Sequence, residues 1–133
     1  MIFPMILVEF MNISQSEIWE VDFFPNIGSE IAKNRPALIV NHNLIGKLPL
    51  RTIVPVTEWA DTYSRYPWMV KIIPDESNKL IKVSAIDCFQ IKNFSIERFR
   101  RKLGIINNML LIEVHKAILK TLNPGYILSI TQV

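Results

Sequence analysis

Apolar residues fall in short runs separated by prolines and polar clusters. That pattern predicts a small β-rich domain carrying one helix. Ile18 to Phe23 alternates in part and reads as a first strand. The polar stretch Asn26 to Asn34, with Gly28, reads as a loop, and Ala37 to Asn41 as a second strand. After a loop over His42 to Leu50, the β-branched Thr52, Ile53, Val54 and Val56 mark a third strand. Pro55 within it predicts an edge position or a bulge, because proline brings no N–H to a ladder. Glu58 to Pro67 reads as a polar, aromatic loop. Trp68 to Ile73 and Lys82 to Gln90 read as the fourth and fifth strands, with a turn over Pro74 to Lys79, and Leu103 to Ile106 as a last strand. Ser95 to Phe99 predicts a short helical turn capped by Ser95. A longer helix is expected from about Asn108, because Leu111, Val114, Ile118 and Leu122 share one face. Asn107 or Asn108 can cap its start, and Asn123-Pro124-Gly125 stops it.

A chain of 133 residues, half of them apolar, is enough for one domain with a modest core. The expected division is an apolar extension over 1–13 and a single domain over 14–133. Met1 to Val8 is apolar but too short to cross a bilayer, and Glu9 interrupts it. It reads as a frayed tail, an extra edge strand or an artefact of start-site choice, with Met11 as an alternative start. The 15 basic and 12 acidic side chains leave a net +3, which permits a polyanionic partner without requiring one. The single cysteine, Cys88, lies in an apolar stretch and has no internal partner, so nothing points to secretion and a cytoplasmic location is expected. It reads as a buried, inert thiol.

Arg35 carries the most specific chemical signal. It follows the polar loop Gly28-Ser29-Glu30-Ile31-Ala32-Lys33-Asn34 and precedes Pro36 and the apolar run Ala37 to Val40. Pro36 biases Arg35 to an extended backbone, which sets a planar cation at the mouth of a sheet. Such a cation suits a phosphate, although many arginines at strand starts are simply solvated. Other chemistries find little support. Neither zinc nor calcium spacing is present, nor a glycine-rich phosphate loop, nor a Gly-x-Ser-x-Gly turn, so no cofactor is expected. The histidines are His42, in a loop, and His115, within the helix, which is a poor basis for a two-histidine mechanism.

Glu17-Ile18-Trp19-Glu20-Val21-Asp22, Phe24-Pro25, Gly28-Ser29-Glu30 and Lys33-Asn34-Arg35-Pro36 follow one another in an order that resembles the opening of the MazF/PemK (Kid) toxin endoribonucleases. The likeness continues through Thr52-Ile53-Val54-Pro55-Val56-Thr57, Ser84-Ala85-Ile86, Gln90-Ile91-Lys92 and Arg98, and covers roughly Ser14 to Leu122. It implies an SH3-like barrel of the MazF/Kid/CcdB type with a C-terminal helix, in the mainly β (α+β) class. It further implies a metal-independent endoribonuclease of a type II toxin–antitoxin system, a homodimer, and a cognate MazE-like antitoxin with an acidic tail. Lys92 stands where the family often has arginine, and Phe89 where an acidic residue commonly precedes the glutamine.

Under that resemblance Arg35 and Thr57 match the catalytic pair, with Glu30 as a helper that acts as base or orients Arg35. Thr57 read without it would be a strand-end hydroxyl bonded to backbone. RNA cleavage by internal transfer needs the 2′-hydroxyl deprotonated, the phosphorane-like state stabilised and the leaving 5′-oxygen protonated. Lys33, Lys47, Arg51, Arg65 and Lys71 are expected to track phosphates. Trp59 and Tyr63 are the better candidates for stacking bases, whereas Phe24 and Trp68 read more simply as core. Two rival functions share the fold: a CcdB-like DNA gyrase poison, and an inactive family member that only binds RNA or antitoxin.

Overall fold

The computed structural model describes residues 12–23, 34–45 and 47–122. Seven strands appear among them: β1 (Glu17–Asp22), β2 (Asn34–Ile39), β3 (Leu50–Glu58), β4 (Met69–Ile72), β5 (Ser84–Asp87), β6 (Lys92–Ser95) and β7 (Phe99–Ile105). A helix, α1, runs over Asn108–Leu122. All pairings are antiparallel, in the order β4-β5-β3-β2-β1-β7, with β6 also on β3. This is a mainly β, barrel-like architecture with the helix packed on it.

β3 closes the structure because it serves two neighbours along one edge. Its first half, Leu50 to Ile53, pairs with β6, and its last three residues, Val56 to Glu58, pair with β5. Pro55 sits between these two sections. The strand is therefore central, and the expected edge position for Pro55 is incorrect. The proline occupies the changeover, where no residue is registered opposite it on that edge and the missing N–H leaves no gap in the ladder.

Two apolar clusters fill the interior. Ile18, Leu38, Val54, Ile72 and Ile86 meet Leu111, Val114 and Ala117 of α1 in the first. Val21, Ala37, Ile39, Ile53, Ile96 and Phe99 form the second. Adjacent residues of β2, Leu38 and Ile39, enter different clusters, so this strand is buried on both faces and reads as a continuous apolar run. Asn107 caps α1, its Oδ1 accepting from Leu110 N at 2.8 Å. The buried face uses Ala117 beside Leu111 and Val114, while Leu122 is exposed. Ser95 caps a one-turn 3-10 helix, accepting from Glu97 N at 3.3 Å.

Several boundaries differ from the sequence expectation. β2 begins at Asn34, so Arg35 and Pro36 lie inside the strand and pair with Val21 and Glu20 of β1. β6, short and polar, carries no hydrophobic alternation that would mark it. β7 starts at Phe99, four residues before the expected Leu103, and its Arg101 and Lys102 ion-pair with Glu20 and Glu17 of β1. The expected extension 1–13 lies almost wholly outside the described residues, as does the helix stop at Asn123 to Gly125.

Candidate active site

β2 and β3 bring the expected catalytic pair together. Ala37 pairs with Pro55 and Leu38 with Val54. The paired register ends there; continued two residues toward the start of β2, it would bring Arg35 level with Thr57. Both side chains line one cavity of about 450 Å³, walled on another side by Leu80, Ile81 and Lys82 of the β4–β5 connection. Arg35 is exposed and Thr57 half-buried, so both are within reach of a ligand entering the cavity. At the rim Glu58 and Lys82 form an ion pair of 3.3 Å between two solvent-exposed side chains. Such a pair contributes little to stability and leaves both charges available to a ligand.

Glu20 steadies the strand that carries Arg35. Its Oε1 accepts from Asn34 Nδ2 at 3.1 Å and its Oε2 from Arg101 Nε at 2.7 Å. The Arg101 bond first, then the Asn34 bond, hold its carboxyl below the usual carboxylate range. The residue preceding Arg35 is thereby tied to β1. Glu30 and Lys33, the other members expected here, lie outside the described residues.

Trp59 follows two residues after Thr57 and starts a chain of rings. Trp59 and Tyr63 meet edge to face at 5.8 Å, Tyr63 lies 6.4 Å from Tyr66, and Tyr66 stacks on Trp68 at 5.0 Å. Lys71 places its ammonium 5.0 Å from the Trp59 centroid. Trp68 also packs against the core, as its alternative reading held. Arg65 ends the exposed one-turn 3-10 helix Asp61–Arg65 on the same connection.

Two expected RNA contacts are placed elsewhere. Arg51 is only 2% exposed. Its Nε donates to Ile13 O at 2.9 Å, and its Nη1 to Leu48 O at 2.9 Å and Leu50 O at 2.8 Å. This arginine pins the β2–β3 connection to the segment before β1, and its burial corrects the expectation that it contacts phosphate. Lys47 is exposed in that same connection, at the end of β2 away from Arg35, on the order of 15 Å along the strand. It does not join the Arg35–Thr57 cavity.

The histidines serve the fold. His42 Nδ1 accepts from Leu44 N at 3.0 Å, and His115 Nε2 donates to Val40 O at 3.1 Å, docking α1 on the end of β2. Cys88 is buried, and burial, with a smaller effect of the Asp87 charge, pushes its thiol up to about 12. It is an inert core residue, as the sequence led us to expect.

Comparison with known proteins gives a consistent picture. Endoribonuclease MazF9 of Mycobacterium tuberculosis is 28% identical over 110 residues, spanning 78% of this chain and 91% of that protein. The crystal structure of MazF from Deinococcus radiodurans superposes with a TM-score of 0.66 at 22% identity, over 83% of this chain and 96% of that one. A mycobacterial endoribonuclease solved with its cognate antitoxin gives a TM-score of 0.66 at 17% identity, over 83% and 94%. At these identities the structural likeness speaks for the fold. Residues 14–122 match the family model of the PemK-like, MazF-like toxins of type II toxin–antitoxin systems, and the chain belongs to that family.

Proposed function

We propose that this toxin is a metal-independent, sequence-selective endoribonuclease that cuts single-stranded mRNA and so blocks translation and growth. The observation that supports the reading is that Arg35 and Thr57 line one open cavity. In the proposed reaction the 2′-oxygen attacks the adjacent phosphorus as its proton leaves. The bond to the 5′-oxygen breaks, and that oxygen takes up a proton. The products are a 2′,3′-cyclic phosphate and a 5′-hydroxyl. Arg35 is assigned to stabilise the charge that builds on the non-bridging oxygens and to protonate the leaving oxygen. Thr57 donates a hydrogen bond to the same phosphate. Glu30 is assigned the helper role, as base or by orienting Arg35. The fixed cation supplies the charge stabilisation that a metal would otherwise provide.

Lys33 and Arg65 track neighbouring phosphates, and Trp59 and Tyr63 offer ring faces for unpaired bases. A cognate antitoxin of the MazE type, with an acidic segment, competes for the same cations. The solved mycobacterial relative with its antitoxin is consistent with such a partner. A homodimer in the cytoplasm completes the reading, with the exposed Ile105, Met109 and Ile112 as apolar surface for the contact. Among the described residues no helix is long and apolar enough to cross a membrane.

The test is Arg35→Lys, which keeps the charge and loses the planar fork. Cleavage should fall by about 10²-fold or more with an unchanged circular dichroism spectrum and melting temperature. Full cleavage by the folded variant would remove Arg35 from the mechanism. Inhibition of DNA supercoiling without any RNA cleavage would assign the protein to the gyrase-poison class instead.

A further inference from the structure

Ile81 is 94% exposed, the most exposed of the large apolar side chains described. The loop that leads to it is anchored as far as Leu80. Asn78, buried in the β4–β5 connection, accepts at Oδ1 from Asp75 N at 3.1 Å and Leu80 N at 3.0 Å, and donates from Nδ2 to Ile73 O at 2.9 Å. Ser77 O accepts from Ile105 N of β7 at 3.0 Å. Gly104 lets the Asn78 carbonyl lie where a Cβ would otherwise stand. The anchored segment ends next to Ile81, whose apolar side chain faces water.

The position of that side chain indicates what covers it. Ile81, with Leu80 and Pro36, lines the Arg35–Thr57 cavity and also a second cavity of about 530 Å³ on its other side. The second cavity carries Lys79, Arg101 and Lys102. Arg101 and Lys102 pair with Glu20 and Glu17, while Lys79 has no ion pair among the described residues. An apolar step thus lies between two hollows that each hold one cation without an ion pair among the described residues: Arg35, beside the Glu58–Lys82 pair and Thr57, in one, and Lys79 in the other. A single-stranded polyanion has that alternation, with phosphates that follow the cations and a base face that can rest on the step.

We propose that Ile81 is a specificity-determining residue. It packs against the base next to the scissile phosphate as the RNA passes from the Arg35–Thr57 cavity toward Lys79. This inference rests on the endoribonuclease reading and adds an RNA track on the β7 side of the site, distinct from the Trp59–Tyr63 side.

The experiment maps cleavage sites of the full-length protein on a long single-stranded RNA for wild type, Ile81→Ala and Ile81→Glu. It then measures binding of the preferred RNA oligonucleotide with each Ile81 change placed on an Arg35→Ala background. Both substitutions should leave melting unchanged, since the side chain touches almost nothing. Ile81→Ala should relax base preference at one position flanking the cut and weaken binding about three- to ten-fold, the equivalent of one lost apolar contact. Ile81→Glu should weaken binding further, and more at low salt than at high. Wild-type cleavage with unchanged preference and affinity in both variants would overturn this inference alone. A shift of Ile81→Glu to a smaller species in sedimentation would assign the side chain to contact between copies and also overturn it. No cleavage by wild type would remove the endoribonuclease reading, and this inference with it.

Discussion

Arg51 engages the carbonyls of Ile13, Leu48 and Leu50 from within the core, and its removal would take that donor from all three. Arg51→Ala should therefore destabilise the fold by about 3 kcal/mol in chemical denaturation while RNA affinity per folded molecule stays the same. Arg35, one strand away, should behave in the opposite manner: its loss should affect cleavage and spare stability. Thr57→Val keeps the shape and removes the hydroxyl, so cleavage should fall about 10- to 100-fold in steady-state assays with melting unchanged. Arg35 was legible in the sequence because the Arg-Pro step fixes its backbone ahead of an apolar run. Arg51 was not, because three carbonyls from separate segments converge on it only after folding. Cys88 offers a third check. With its thiol pushed up to about 12 by burial, the native protein should not react with a thiol reagent such as dithionitrobenzoate at pH 8, and should react once per chain in guanidinium.

At the scale of elements, β7 departs most from a hydrophobic-pattern reading. Its Arg100, Arg101 and Lys102 would be poor strand residues alone, but each faces an acid of β1: Asp22 at 3.0 Å, Glu20 at 2.7 Å and Glu17 at 2.9 Å. Cross-strand charge pairs accompany this register, and a scan for apolar alternation does not detect them. Glu20 gives the pairing a pH dependence. Its folded pKa lies below its ordinary value of 4.5, so its contribution is full above that value and is lost as pH falls through the lower folded value. Glu20→Gln should accordingly show a shallower loss of stability than wild type as pH drops from about 5 to 3 in urea titrations. Gly104 couples β7 to the loop that walls the site. Gly104→Ala would drive a Cβ against the Asn78 carbonyl and should destabilise by about 1–3 kcal/mol. The helix and the core strands were legible because apolar periodicity dominates there. β6 and the two-neighbour role of β3 were not, since they arise from barrel closure.

Over the whole molecule, a small barrel holds two neighbouring strands so that Arg35 of one and Thr57 of the other line a single cavity. Aromatic rings extend from Trp59 on the β3–β4 connection, and a cation-flanked apolar step lies on the β4–β5 connection. The family and the fold were readable from ordered motifs across most of the chain, and residues 14–122 match the family model. What sequence could not supply is which basic residues share the Arg35 cavity, because Lys47 and Lys82 look alike along the chain and only the register separates them. The most direct measurement is cleavage of a long single-stranded RNA in EDTA by purified, antitoxin-free wild type and Arg35→Ala, with both ends of each product mapped. The account predicts site-selective cuts with 2′,3′-cyclic phosphate and 5′-hydroxyl ends from wild type and none from the variant. An intact RNA with folded wild type, or equal cutting by both proteins, would contradict it.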